Sequence, residues 1–182
     1  HPAGGWRYEP RQAGDTSVVG LQVMALKSGQ MAGLLVNPIT LAGASKYLDS
    51  VQIGDYGDDY GYTDPSRGSI ATQAIGLLCR MYMAWPHDHP GLTKGIEALD
   101  AKGPSQGNMY FNYYATQVVH HYGGEQWKRW NPKMRDSLVN RQAKNGHEAG
   151  SWYFAGGHGS AGGREYVTAM AAMTLEVYYR HM

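Results

Sequence analysis

The sequence predicts an all-α fold in which buried helices alternate with one-sided helices. Three observations predict it. Four runs that are apolar nearly all round recur along the chain, X-Pro steps open amphipathic segments between them, and a glycine-plus-aromatic piece precedes each buried run. The unit returns at roughly fifty-residue intervals, as stacked helical repeats do.

The buried helices are led by threonine: Thr16-Ser-Val-Val-Gly-Leu-Gln22, Thr72-Gln-Ala-Ile-Gly-Leu-Leu78, Thr116-Gln-Val-Val-His-His121 and Thr168-Ala-Met-Ala-Ala-Met-Thr174. A helix without a polar stripe belongs inside. Between them, Asn37-Pro38, His89-Pro90 and Asn131-Pro132 each begin a helical segment, Asn being a good N-cap and Pro a good first residue. Leu41, Ala44, Leu48 and Val51 form one apolar stripe; Leu92, Ile96 and Leu99 form a second; Trp127, Trp130, Met134 and Leu138 form a third. Lys46, Asp49, Lys94, Glu97, Lys133 and Asp136 mark the solvent faces. The turns before the buried helices are Gly5-Trp-Arg-Tyr8, Tyr60-Gly-Tyr62, Gly107 to Tyr114 and Gly150-Ser-Trp-Tyr-Phe154. They fall at the same end of each unit, where a rigid scaffold carries its sites.

Composition narrows the function. The 182 residues suit one domain, and residues 1–182 are expected to form a single domain that is a segment of a longer protein. The start, His1-Pro-Ala-Gly-Gly-Trp6, lacks the basic start and apolar stretch of a secretory leader, so no compartment is assigned. Lys plus Arg is 16 and Asp plus Glu is 15, which gives no electrostatic reason to expect nucleic acid or an acidic membrane surface. No apolar run is long enough to span a bilayer. Cys79 is alone and reads as a small buried hydrophobe. The 14 Tyr and 5 Trp against 2 Phe favour rings with a polar tip, suited to a cavity wall or an interface.

One pattern carries a resemblance. Leu138-Val-Asn-Arg-Gln142 is followed by Gly150-Ser-Trp152, and Leu48-Asp-Ser-Val-Gln52 by Gly54-Asp-Tyr56; Leu99, Gly103 and Gly107-Asn-Met109 form a degraded third copy. This resembles the prenyltransferase/squalene-oxidase repeat of terpenoid cyclases and protein prenyltransferases. The resemblance implies an α/α-toroid, here an incomplete ring of about four inner and three outer helices. The cyclases protonate an alkene with an Asp-x-Asp-Asp motif. The nearest match is Asp55-Tyr-Gly-Asp58-Asp59, with altered spacing, so Asp58 and Asp59 are weak catalytic candidates beside the plainer reading of a solvated acidic loop. The prenyltransferases bind zinc through Asp, Cys and His. The His position is Val167 in Tyr166-Val167-Thr168 and the Asp-x-Cys pair is missing, so no metal or cofactor is expected. The thioester motif of a third toroid family reads Tyr122-Gly-Gly-Glu-Gln126, with Gly123 in place of its cysteine.

His147, Glu148 and His158 surround the last glycine-rich turn and are further catalytic candidates, set against capping of loop backbone. Gly156 to Gly163 lacks the Lys-Ser/Thr of a phosphate loop and suggests close backbone packing or mobility. Arg164 and Glu165 read as an anion site at a helix start or an ordinary surface pair. The ligand-binding candidates are Trp6, Tyr8, Tyr60, Tyr62, Tyr110, Tyr113, Trp152 and Tyr153, with packing favoured for Trp6 and Trp152. The expected partner is an isoprenoid, another apolar small molecule or a protein, and self-association is open. Three functions follow: a binding or interaction module with an aromatic-lined end, a terpenoid-cyclase-like enzyme, and a carbohydrate-active barrel using Asp15, Asp64 or Glu148. A cyclase needs a closed apolar cavity holding a carboxylic acid; a glycan enzyme needs an open groove with two carboxylates; a binding module needs neither.

Overall fold

The computed structural model describes residues 1–179, and over these the fold is all-α apart from one two-stranded hairpin. The helices are α1 (Thr16–Met31), α2 (Pro38–Val51), α3 (Ile70–Tyr82), α4 (Pro90–Lys102), α5 (Met109–Tyr122), α6 (Gly124–Arg141) and α7 (Gly159–Leu175). The threonine-led runs lie on α1, α3, α5 and α7, and the amphipathic stripes on α2, α4 and α6. The stripes are buried as their spacing requires: Ala44, Leu48 and Val51; Leu92, Ile96 and Leu99; Trp130, Met134 and Leu138. All six charged residues assigned to the outer faces are exposed.

Local chemistry sets the ends. Asp15 caps α1, its Oδ1 accepting from Val18 N at 2.9 Å. Gly33, at φ +75°, closes α1 in a Schellman turn in which Gly33 N donates to Gln30 O and Leu34 N to Gly29 O. Asn37 caps α2 ahead of Pro38.

Three boundaries depart from the sequence reading. The Gly107 to Tyr114 piece is not a turn, because Asn108 accepts from Phe111 N and starts α5 at Met109. Asn131-Pro132 does not begin α6. That helix starts at Gly124 and carries Pro132 inside it, because the Trp127–Leu138 stripe continues through the proline and its burial outweighs the lost hydrogen bond. Thr72 is the third residue of α3, forming a capping box with Ser69. Burial also differs. The cores of α3 and α5 are buried nearly all round, but α1 buries only Thr16, Val19, Gly20 and Val23, and the run on α7 is one-sided, burying Met170, Ala171 and Thr174 while Ala169 and Ala172 are exposed.

The chain divides into two compact units, His1–Gly95 and Ile96–Met182. In the first, α1 packs on α2 and α3. The acidic segment is not a plain loop but the turn of a hairpin, β1 (Gln52–Ile53) against β2 (Asp59–Tyr60), antiparallel with Gln52 opposite Tyr60. Strands of two residues show no alternation, which hides them from sequence reading. Tyr60 is fully buried against Gly76, where a Cβ would lie 2.2 Å from the ring. Its hydroxyl accepts from Arg80 Nε at 3.1 Å, and Arg80, itself buried, also donates to Ser45 and Asp49 and lies 4.7 Å over the Trp85 ring. In the second unit, α5 packs on α6 and α7.

Candidate functional site

The second unit builds a groove from the loop after α6 and the outer face of α7. Two staples fix that loop to α6. Gln142 Nε2 donates to Gly150 O at 2.9 Å, and Trp152 Nε1 donates to Leu138 O at 2.7 Å. A third tie reaches α7, where Thr168 Oγ1 accepts from Trp152 N at 3.1 Å and donates to Trp152 O at 3.2 Å. Helix α7 breaks at Gly163 (φ +69°), where a side chain is disfavoured, and starts afresh at Arg164. Arg164, Glu165, Thr168 and Ala169 then fall on one face. With a 3₁₀ turn at Gly146–Glu148 opposite, they line an open groove of about 540 Å³ together with His147, Glu148, Ala149 and Ser151.

Its wall is a fixed polar cluster. Arg164 Nη2 lies 2.8 Å from Glu148 Oε2, and Nη1 donates to Ser151 Oγ at 3.2 Å. Ser151 Oγ donates in turn to Glu148 O at 2.5 Å. The Arg164 guanidinium carbon lies 5.5 Å from the centre of the exposed Tyr153 ring. His147 Nε2 stands 4.0 Å from Glu148 Oε1 with its side chain 95% exposed. A fork of N–H donors, a carboxylate and a hydroxyl thus face one solvent-filled space above two alanines.

Of the three candidates around the glycine-rich turn, the structure brings His147 and Glu148 together and leaves His158 apart. His158 precedes α7 and meets the Tyr110 ring edge-on at 5.1 Å. The glycine-rich segment is closely packed: Gly156 faces Gly107, and a Cβ on Gly156 would sit 2.9 Å from Gly107 O. Arg164 pairs with Glu148, not with its neighbour Glu165. The sequence shows Ser151 and Thr168 only as letters of the Gly-Ser-Trp motif and of the threonine-led run, with nothing to mark either as a site residue; the Gln142 and Trp152 staples place them.

The aromatic candidates separate by burial. Tyr60, Tyr113 and Trp152 belong to the core, Tyr113 standing edge-on to Tyr114 at 5.0 Å. Trp6, Tyr62 and Tyr110 are half-buried, and Tyr8 and Tyr153 are exposed. In the first unit, Arg7 lies 5.8 Å over Tyr62, whose hydroxyl is pushed up to about 12 by burial and by its hydrogen bond with Tyr8. Tyr60 is pushed to about 12 by burial, against the pull of Arg80.

Asp58 and Asp59 lie at the hairpin and not on the groove. Burial raises the Asp59 carboxyl, the Tyr60 N–H at 2.7 Å opposes it, and Asp58 adds a smaller upward push. Asp15 is a helix cap with Arg7 Nε 3.5 Å away, and Asp64 anchors a turn by accepting from Ser66 N at 2.9 Å. Among the described residues no three His, Cys, Asp or Glu side chains are placed to hold a metal ion, and no helix is long and apolar enough to cross a membrane. In comparisons with known proteins, no family model, no curated protein and no solved structure matches this chain.

Proposed function

We propose that this chain is a binding module on an α/α-toroid-like helical repeat, and that the groove of its second unit takes a polyhydroxylated ligand, a saccharide in the first place. The observation that carries the reading is the Arg164–Glu148–Ser151 cluster in the wall of an open groove. A guanidinium and a carboxylate fixed side by side offer donors and acceptors to adjacent hydroxyls without net charge. An isoprenoid would cover this polar wall and take it out of water without offering it a hydrogen bond, at a cost. The repeat is supported by the alternation of buried-run and amphipathic helices and by the staples from Gln142 and Trp152 at the motif positions.

The test is saturation-transfer NMR against a panel of oligosaccharides, with Arg164→Ala and Glu148→Gln. Both variants are expected to lose binding. The pair is partly exposed, so each should change stability by less than about 1 kcal/mol. Retention of an isoprenoid by the purified chain in native mass spectrometry, or glycan binding untouched by both variants, would sink the reading.

A second reading has one observation in its favour: Glu148 and Glu165 both line the groove, as a pair of glycosidase carboxylates would. Against it, Glu148 Oε2 is already held by Arg164. Oligosaccharide cleavage lost in both Glu148→Gln and Glu165→Gln would favour this reading over simple binding.

A further inference from the structure

The loop that carries His147 and Glu148 also carries an Asn-Gly step, Asn145-Gly146. In such a step the backbone nitrogen after the asparagine can attack the side-chain amide carbon, because glycine has no Cβ to crowd the approach. The chain has six asparagines, and five are protected. Asn37 and Asn131 precede proline, whose nitrogen has no hydrogen to give up. Asn112 and Asn140 lie inside α5 and α6, where the next amide is tied to the preceding turn. Asn108 is held as a cap, its Oδ1 accepting from Phe111 N at 3.0 Å. Asn145 has none of these restraints. It is exposed, extended at φ −132° and ψ 160°, and makes no capping bond to the 3₁₀ turn that follows. Among the described residues Gly146 N donates to no backbone carbonyl, and the space that a Cβ on Gly146 would fill is open.

We infer that Asn145 is a self-modification site, and that its conversion to isoaspartate takes apart the polar wall of the groove. Gly146 N bonds to Asn145 Cγ, the Cγ–Nδ2 bond breaks, and the side-chain nitrogen leaves as ammonia with the proton that Gly146 N gives up. Water then opens the five-membered succinimide. Attack at Cγ gives aspartate. Attack at the main-chain carbonyl carbon gives isoaspartate, in which the backbone runs through Cβ and Cγ and is one carbon longer. Water is the only co-reactant, and nothing is oxidised or reduced. The base of the loop cannot absorb the added atom. Ala143 N donates to Ser151 O at 2.9 Å and Gly150 N to Ala143 O at 2.7 Å, clasping residues 144–149 into a closed loop. The Gln142 and Trp152 staples hold its two flanks. The extra carbon is therefore taken up at the tip, in the Gly146–Glu148 turn. That shift carries Glu148 away from Arg164 Nη2, now 2.8 Å distant, and its carbonyl away from Ser151 Oγ. The loss of saccharide binding that follows rests on the function proposed above; the modification and the broken ion pair do not.

The experiment is to age the purified chain at neutral pH and body temperature, mapping peptides by mass spectrometry that separates aspartate from isoaspartate. Asn145 is expected to convert at least about tenfold faster than Asn108, Asn112 or Asn140, a modest difference in barrier for an unhindered nitrogen in an open loop. Asn145→Gln, whose longer side chain closes the ring poorly, should stay intact. Aged wild type should show a shifted Arg164 Nε–H signal by NMR, and aged Asn145→Gln should not. Oligosaccharides that bind the fresh chain should bind the aged wild type at least about tenfold more weakly, and aged Asn145→Gln as before. Conversion at Asn145 no faster than at the other three would overturn the inference. So would full conversion that leaves the Arg164 signal in place. A fresh chain that binds no saccharide refutes the function proposed above, while the peptide map and the Arg164 signal still decide this inference.

Discussion

Replacing Arg80 by methionine tests how the first unit is held together. Arg80 is 1% exposed and serves four acceptors: Tyr60 Oη, Ser45 Oγ, Asp49 Oδ1 and, at 3.5 Å, Gln52 Oε1. The Asp49 side chain is 62% exposed, so on losing its partner it returns to water at little cost. Tyr60 has no such escape. It is fully buried, and its hydroxyl, stripped of the Arg80 donor, costs about 1–3 kcal/mol. Loss of the guanidinium from the Trp85 face adds about 0.5–2 kcal/mol. Methionine refills most of the volume, and removing a buried charge returns part of its desolvation cost. The net expectation is a loss of about 2 kcal/mol, a fall in Tm of roughly 4–8 °C for a chain of this length. Thermal melts followed by circular dichroism read it directly. Asp49→Asn should cost less, about 0.5–1 kcal/mol, because the pair is largely wet on the Asp49 side. Tyr60→Phe combined with Arg80→Met should be less destabilised than the sum of the two single variants. An Arg80→Met protein as stable as wild type, or one less damaged than Asp49→Asn, would refute the claim that the buried hydroxyl network sets the cost.

Two further outcomes follow from buried neighbours. Burial holds the Asp59 carboxyl above its usual 3.8, so the folded chain binds that proton more tightly than the unfolded chain does. Ionisation therefore penalises the fold at neutral pH, and the penalty is relieved as pH falls through the raised value. Asp59→Asn keeps an acceptor for Tyr60 N–H and drops the charge; it should raise Tm at pH 7, with the gain fading toward pH of about 4. A gain independent of pH would contradict the assignment. Gly156→Ala forces a methyl to 2.9 Å from Gly107 O and should cost about 1–3 kcal/mol, with faster hydrogen exchange along residues 154–159. An unchanged melt would show that the segment yields easily.

A helix is most legible where it is written twice, once as an apolar period and once as a cap. Asn37-Pro38 and the Leu48–Val51 stripe agree, and α2 starts where both place it. Where the two signals conflict, the sequence misleads: Asn131-Pro132 reads as a start, but Trp130 ahead of it is already buried in the stripe, with Trp127 half-buried before it, and α6 extends back to Gly124. The hairpin was invisible for want of length. At the site, His147 and Glu148 were readable as polar residues beside a glycine turn. Their partner was not. Arg164 sits next to Glu165, and only the break at Gly163 turns it toward Glu148. That break is a backbone event which a run of glycines permits but does not locate.

The break also explains why the groove is polar at all. Had α7 run straight through Gly163, Arg164 would sit inside a continuous helix, with the N–H groups of its following turn bonded to the turn before. Restarting the helix at Arg164 leaves the N–H groups of its first turn without intrahelical partners and gives that end a partial positive charge. A carboxylate beside such an end is favoured, and Glu148 comes from the loop across the groove to meet it, held by Arg164 at 2.8 Å. Trp152 and Gln142 keep that loop from drifting, since both hydrogen bonds run to main-chain carbonyls and not to mobile side chains. The polar wall is thus the joint product of a glycine that interrupts a helix and two side chains that pin a loop. Loss of either the interruption or the pins should disperse the cluster while leaving the buried stripes of α5 and α6 intact. The groove and the core are therefore separable by mutation: Gly163→Ala and Gln142→Ala should weaken ligand binding by more than their effect on Tm would suggest.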